Sequence, residues 1–232
     1  MNESPLSIVK SLFPSIIDCN ILDIGCGEGS FASQLADAGA SVVGIDPNPK
    51  AIEKSKLLAP GGRFEVGYAE SLPFADSSFD IVVFVNALHH VPGPVMEQAI
   101  IEASRVMRER GFLVVSEPLP SGNFFEALRL IEDETDARLA AQMALKKVVS
   151  GGQLKEINSL RYVQREIFDS AARYIERVVA VDPSREAAVR RREADIVSVI
   201  NGVALKLPDG RLAFDQPNKA DVLVRGDTEG MI

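Results

Sequence analysis

Residues 20–46 constrain this chain more than any other stretch, because the hydrophobic period changes twice within them. Asn20 to Ile24 is a short apolar run that ends in glycines, the mark of a buried parallel strand. Gly25, Gly27 and Gly29 predict a tight turn, and from Ser30 the apolar residues Phe31, Leu35 and Ala38 fall on one helical face. Ser41 to Ile45 reads as a second buried strand that stops at Asp46-Pro47. Strand, glycine loop, helix, strand and terminal acid describe a nucleotide-binding βαβ unit. The glycines let backbone N–H groups approach a ligand, and the acid accepts hydrogen bonds from a ribose diol.

The rest of the first half continues this alternation. A short helix is expected within residues 1–19, carried by Leu6, Val9 and Phe13 and ended by Pro14. Asn48-Pro49 starts a helix running to about Ala59, which Pro60-Gly61-Gly62 breaks. Arg63 to Val66, Ile81 to Val85 and Phe112 to Ser116 read as strands, with an amphipathic helix over Val95 to Met107 and a turn at Gly111. This order predicts a mostly parallel sheet with helices on both faces. Beyond it, residues 123–149 read as helical, 156–168 as a sixth strand, and 170–180 and 183–200 as helices. Gly210 to Phe214 and Asp221 to Arg225, around Gln216-Pro217, read as terminal β structure.

The glycine spacing decides which nucleotide. A dinucleotide fold wants Gly-x-Gly-x-x-Gly; here the third glycine comes one residue early and Ser30 holds the dinucleotide position. That speaks against a nicotinamide-dependent oxidoreductase. Leu22-Asp23-Ile24-Gly25-Cys26-Gly27-Glu28-Gly29, with Asp46 ending the next strand, resembles the first motif of class I S-adenosylmethionine-dependent methyltransferases. The resemblance covers residues 15–117 and resumes at Phe214 to Val224, which is similar to that family's last, antiparallel strand. It implies a doubly wound, Rossmann-like α/β fold with a seven-stranded sheet, and one domain over 1–232 in which 120–201 is a mainly helical insertion. Methyl transfer to a small-molecule acceptor is the activity it implies, with a cofactor-binding protein lacking catalysis as the alternative.

Carried over residue by residue, the resemblance implies that Gly25, Cys26, Gly27 and Gly29 pass along the methionine part of S-adenosyl-L-methionine. Asp23 orients the loop or reaches the amino group, Asp46 with Pro47 holds the ribose, Ala69-Glu70 meets the adenine, and Asn86 stands against the methionine end. Glu70 reads equally well as a solvated loop acid.

Candidate catalytic groups are fewer. His89 and His90, the chain's two histidines, follow the fourth strand. A histidine there could take a proton from an oxygen or nitrogen nucleophile, or pack as a structural hydrogen-bonder. Glu117, after the fifth strand, is the other candidate base or substrate anchor. Adjacent histidines without a dedicated carboxylate cluster argue against a metal site. Phe124, Phe125, Leu128 and Ile131 suggest that the later helices roof a largely apolar acceptor pocket facing Asn86, His89, His90 and Glu117.

The net charge of −8 argues against nucleic-acid or anionic-membrane partners. The Arg190-Arg191-Arg192 run, flanked by Glu186, Glu193 and Asp195, reads as a solvated helix face. No stretch approaches the roughly 20 apolar residues of a membrane span, and no amino-terminal secretory signal is read. Two cysteines are too few to staple this length, so a reduced, cytoplasmic setting is expected.

Overall fold

The computed structural model describes residues 4–12 and 15–226. The expected first helix is α1 (Pro5–Leu12); Phe13, expected on its apolar face, and Pro14, expected to end it, lie outside the described residues. Next come β1 (Asn20–Ile24), α2 (Ser30–Asp37), β2 (Ser41–Asp46), α3 (Pro49–Leu58), β3 (Arg63–Val66), β4 (Phe79–Val85) and α4 (Met96–Val106). The chain continues through β5 (Met107–Pro118), α5 (Asn123–Leu128), α6 (Thr135–Ser150), β6 (Leu154–Phe168), α7 (Ala171–Val181) and α8 (Glu186–Val203). It closes with the two-residue β7 (Leu205–Lys206) and the long β8 (Leu212–Arg225).

The sheet runs β3-β2-β1-β4-β5-β8-β6, with β7 pairing β8 beside it. The first five strands are parallel, and β8 inserts antiparallel to both β5 and β6. This is a doubly wound α/β fold with an antiparallel terminal strand. The turn of chain order lies between β1 and β4, so a crevice opens above their carboxyl ends.

Two apolar layers bury the sheet. One face packs on α4 and α6 through residues such as Ile100, Val106, Leu145 and Val148; the other packs on α1, α2 and α3 through Val9, Leu35 and Ile52. A third cluster joins α5, α7 and α8 to the upper end of β8, with Tyr174, Phe214 and Ile200 at its centre.

Three expectations are corrected. β5 begins at Met107 rather than Phe112, because Arg108 to Gly111 bulge between the pairs Phe79–Met107 and Ile81–Phe112 instead of turning the chain. Gly111 is needed there for clearance: a Cβ would stand 2.8 Å from the Asp80 carbonyl. Residues 123–149 form two helices, since Asp133 accepts the Thr135 N–H at 3.0 Å and restarts the chain as α6. The terminal β segments are one strand through Pro217. Its carbonyl takes the Leu119 N–H at 2.9 Å, on the side where the β5 ladder has ended, so the missing N–H costs no bond to β6.

Candidate active site

The glycine loop closes over the end of β1. Gly25, Gly27 and Gly29 all have positive φ (73°, 53° and 88°), a region costly to residues with a Cβ. Gly25 and Gly29 also pack too closely for a side chain: a Cβ would stand 2.5 Å from Ala87 Cβ and 2.8 Å from Ser55 Cβ. At Gly27 a Cβ would meet nothing within 4 Å, so this is the open side of the cradle. Cys26 points the other way. Its buried thiol packs in the core beneath the loop against Gly44, and burial raises its pKa.

The two acids differ. Asp46 accepts the Gly27 N–H at 3.0 Å through one oxygen and the Asn48 N–H at 2.8 Å through the other, leaving lone pairs on both. Asp23 is buried and its Oδ2 has no partner. Burial, and then the neighbouring Asp46 charge, push its pKa up to about 7. A buried carboxylate oxygen without a donor, beside a glycine loop with an open side, fits a ligand that brings a positive group and a hydroxyl pair.

The remaining cofactor candidates border the same crevice. The Gly67 N–H donates to the Asp46 carbonyl at 3.2 Å, which brings the turn carrying half-buried Ala69 and Glu70 against the end of β2. Pro47 is exposed and leads into Asn48, whose side chain caps α3 at the Lys50 N–H. Asn86 ends β4 with φ 52° and an exposed side chain, held in that conformation by its N–H to the Ser116 carbonyl at 2.9 Å.

Behind Asn86 the chain makes a single 3₁₀ turn, Leu88–His90. Glu117, buried at the end of β5, organises that turn: its Oε1 accepts the Ala87 and Leu88 N–H groups, both at 2.9 Å. Its Oε2 accepts the His89 N–H at 3.4 Å and a short bond from His89 Nδ1. Burial alone would raise the Glu117 pKa, but the His89 imidazole and these backbone donors outweigh it and hold it below the ordinary glutamate range. Expecting Glu117 as a base or substrate anchor is therefore corrected. Both of its oxygens are committed, and it stands behind His89, outside the cavity wall. With Nδ1 engaged, His89 Nε2 faces the cavity, 4.0 Å from Glu134 Oε2. His90 is exposed and its ring lies 4.0 Å from that of His89; burial of its surroundings, then His89, lower its pKa.

The cavity measures about 180 Å³ and lies between these groups and residues of the later half. Phe124, Leu128, Val178 and Val181 form an apolar wall. Opposite them stand Glu134, Arg138, Gln164, Glu166, Arg177, Arg185, Gln216 and Asn218. The expected largely apolar lining is thus corrected to a mixed one, because Glu134, at the α5–α6 break, is buried there together with Arg138 and Arg185. Arg138 binds Glu134 Oε2 through Nε (3.0 Å) and Nη2 (2.7 Å), while Arg185 takes Glu134 Oε1 and, at 2.6 Å, Glu132. Arg138 also reaches Gln216 at 3.1 Å and lies over the Phe125 ring, 4.5 Å from its centroid.

Glu134, Arg138 and Arg185 escaped the sequence reading. The Glu134–Arg138 spacing of four within a helical stretch was a visible signal; Arg185 gave none. His89, His90 and Glu134 lie close enough to share a cation, their ligand atoms within 4.8 Å of one another. Both Glu134 oxygens already accept guanidinium N–H groups, and two arginine charges stand behind them, which disfavours a cation there. On α8, Arg190 pairs with Glu186 at 2.7 Å on an exposed face. Among the described residues no helix is long and apolar enough to cross a membrane.

Comparison with known proteins agrees with this geometry. Residues 22–115 match the family described as a methyltransferase domain. An uncharacterized methyltransferase of Synechocystis sp. is 37% identical over 106 residues, 45% of this chain and 50% of that protein. One from Mycobacterium leprae is 36% identical over 106 residues, 45% of this chain and 39% of that protein. The chain thus spans half or less of the length of these curated relatives. In fold it is similar to the YcgJ protein of Bacillus subtilis (TM-score 0.66, 21% identity, covering 95% of this chain and 97% of that one). A putative methyltransferase of Bacillus halodurans is similar too (TM-score 0.65, 18% identity, 97% and 100%). The segment from Leu22 to Val115, with its glycine loop, buried Asp23 and Asp46 at the end of β2, thus matches a methyltransferase domain, set in a Rossmann-like α/β fold.

Proposed function

We propose that this protein transfers a methyl group from S-adenosyl-L-methionine to a small-molecule acceptor held in the cavity above His89. One observation carries the reading: His89, fixed by Glu117, borders a partly open cavity that Asn86, at the end of β4, also lines. A scaffold that only bound the cofactor would have no use for an oriented base at the edge of a cavity.

The chain's residues have separable tasks. The open face at Gly27 admits the methionine part, Asp23 meets its amino group, and the free lone pairs of Asp46 take the ribose hydroxyls. Ala69 and Glu70 border the adenine position. When bound, the sulfonium supplies a methyl group already activated toward nucleophiles, so the protein's part is alignment, proton removal and exclusion of water. His89 accepts the acceptor's proton at Nε2, and the Glu117 carboxylate stabilises the charge that results. The proton then leaves His89 for solvent.

Mass spectrometry of the purified protein for retained S-adenosylmethionine or its demethylated product tests the cofactor, and isothermal calorimetry gives its affinity. Binding of NADH with none of S-adenosylmethionine overturns the assignment.

A further inference from the structure

The arginines that line the cavity are not equivalent. Arg138 gives Nε and Nη2 to Glu134, and Nη1 to Gln216 and the Leu119 carbonyl. Arg185 gives Nε to Glu132, Nη1 to the Val178 carbonyl and Nη2 to Glu134. Every nitrogen of these two guanidinium groups is therefore already bonded. Arg177, on α7, is different. Its closest approach to an acid is Nε to Glu166 Oε2 at 3.6 Å, beyond a hydrogen bond, and it bonds to no other group among the described residues. Its side chain is half exposed, so solutes reach its five unspent N–H donors.

Charge and shape narrow what such a group can be. The lining holds Arg138, Arg177 and Arg185 against Glu134 and Glu166. Glu132, which takes part of the Arg185 charge, lies outside the lining, and its side chain is 43% exposed against 7% for Glu134 and 28% for Glu166. Solvent screens it most, so the wall itself leans positive. Glu134 has both oxygens engaged, and an ammonium drawn to Glu166 would be brought against Arg177. An anion meets the reverse situation: Glu166 stands at Nε, and the two Nη groups at the far end of the planar guanidinium stay open. A phosphate monoester carries up to about two charges, more than one free arginine beside an acid offsets, whereas a carboxylate carries one. Phe124, Leu128, Val178 and Val181 supply apolar surface in a space of about 180 Å³; a cavity of roughly 150 Å³ admits benzene.

We propose that Arg177 is the specificity-determining residue of this cavity, and that it receives one carboxylate carried by the acceptor on a compact apolar body. The proposal rests on the methyl-transfer reading above and adds the group by which that acceptor is held. Arg177 takes the carboxylate through its Nη pair, in two parallel N–H···O bonds that fix direction as well as position. Val178 and Val181 of the same helix, with Phe124 and Leu128, pack on the body. The end remote from the carboxylate is left to Asn86 and His89, which line the same space. Arg138 and Arg185 keep Glu134 neutralised beside them and receive nothing.

The test uses the full chain saturated with S-adenosylhomocysteine, the saturation itself followed by the backbone amide signals of Gly25, Gly27 and Gly29. Benzoate, benzamide and benzylamine, alike in size but not in charge, are then titrated by calorimetry and through the Arg177 Nε–H signal. Benzoate is expected to bind about tenfold more tightly than benzamide, the low end for a charged hydrogen bond because Arg177 is half exposed. Arg177 makes no hydrogen bond in the fold, so R177M keeps the fold and is expected to lose the preference. R177K is expected to recover part of it, since lysine keeps the charge without the planar fork. E166Q, which removes the neighbouring acid, is expected to strengthen benzoate. Benzoate binding no better than benzamide, benzylamine binding best, no probe binding at all, or a preference that survives R177M each overturns the proposal. So does R177M weakening S-adenosylhomocysteine, which gives the arginine to the cofactor. Failure of S-adenosylhomocysteine to move the glycine signals of the wild type defeats the methyl-transfer reading instead, so the two failures are distinguishable.

Discussion

His89 Nδ1 and Glu117 Oε2 share a short hydrogen bond although 28 residues separate them in the chain. The bond sets the imidazole's tautomer, and the two backbone N–H groups on Oε1 keep the carboxylate from rotating away. Glu117→Gln should therefore lower methyl transfer by roughly 10²- to 10⁴-fold, the range of a general-base contribution. His89→Asn should fall as far, with unchanged S-adenosylmethionine affinity by calorimetry. Equal turnover by wild type and both variants would remove the pair from catalysis.

The same carboxylate makes stability pH-dependent. Glu117 is lowered in the folded state, so its contribution is present above the ordinary glutamate pKa of about 4.3 and is lost as pH falls from there through its folded value. Urea unfolding from pH 6 down to pH 3 should show a steeper loss for wild type than for Glu117→Gln.

Asp23 has the opposite sign. Its folded pKa of about 7 exceeds the unfolded value, so the folded state without ligand loses stability as pH rises from about 4 to 7. The loss is up to ~4 kcal/mol, at 1.36 kcal/mol per pKa unit. Asp23→Asn should abolish this slope between pH 4 and 8 in chemical denaturation and weaken S-adenosylmethionine binding. A flat wild-type profile would mean that the carboxylate is not isolated.

The loop glycines separate packing from ligand clearance. Gly27→Val should leave the protein folded, costing ~1–2 kcal/mol for a left-handed conformation, while abolishing cofactor binding. Gly25→Ala should destabilise the apoprotein more, because its Cβ meets Ala87. Thermal melts with and without S-adenosylhomocysteine distinguish the two.

Asp46→Ala removes an acceptor that holds the Gly27 and Asn48 N–H groups and faces the crevice. S-Adenosylmethionine binding should weaken by ~1.5–3 kcal/mol, the value of hydrogen bonds to a charged group. Unchanged calorimetric affinity in a folded variant would take Asp46 out of the site.

The sequence alone determined the parallel half of the sheet and the glycine loop. Those features are local: an apolar run of Asn20 to Ile24, three glycines at positive φ and an acid at a strand end are written within 27 consecutive residues, 20–46. Helix and strand periods in that half carried the topology for the same reason. Only tertiary structure decided which carboxylate serves His89, because β4 and β5 must lie side by side before Glu117 reaches the turn at Leu88–His90. The cavity's character was likewise invisible. Glu134, Arg138 and Arg185 come from a helix break, a helix and a later turn, and only folding buries them together as neutralising partners. Charges spread along a chain read as solvated surface. They become the wall of a binding site when desolvation compels each to find its opposite.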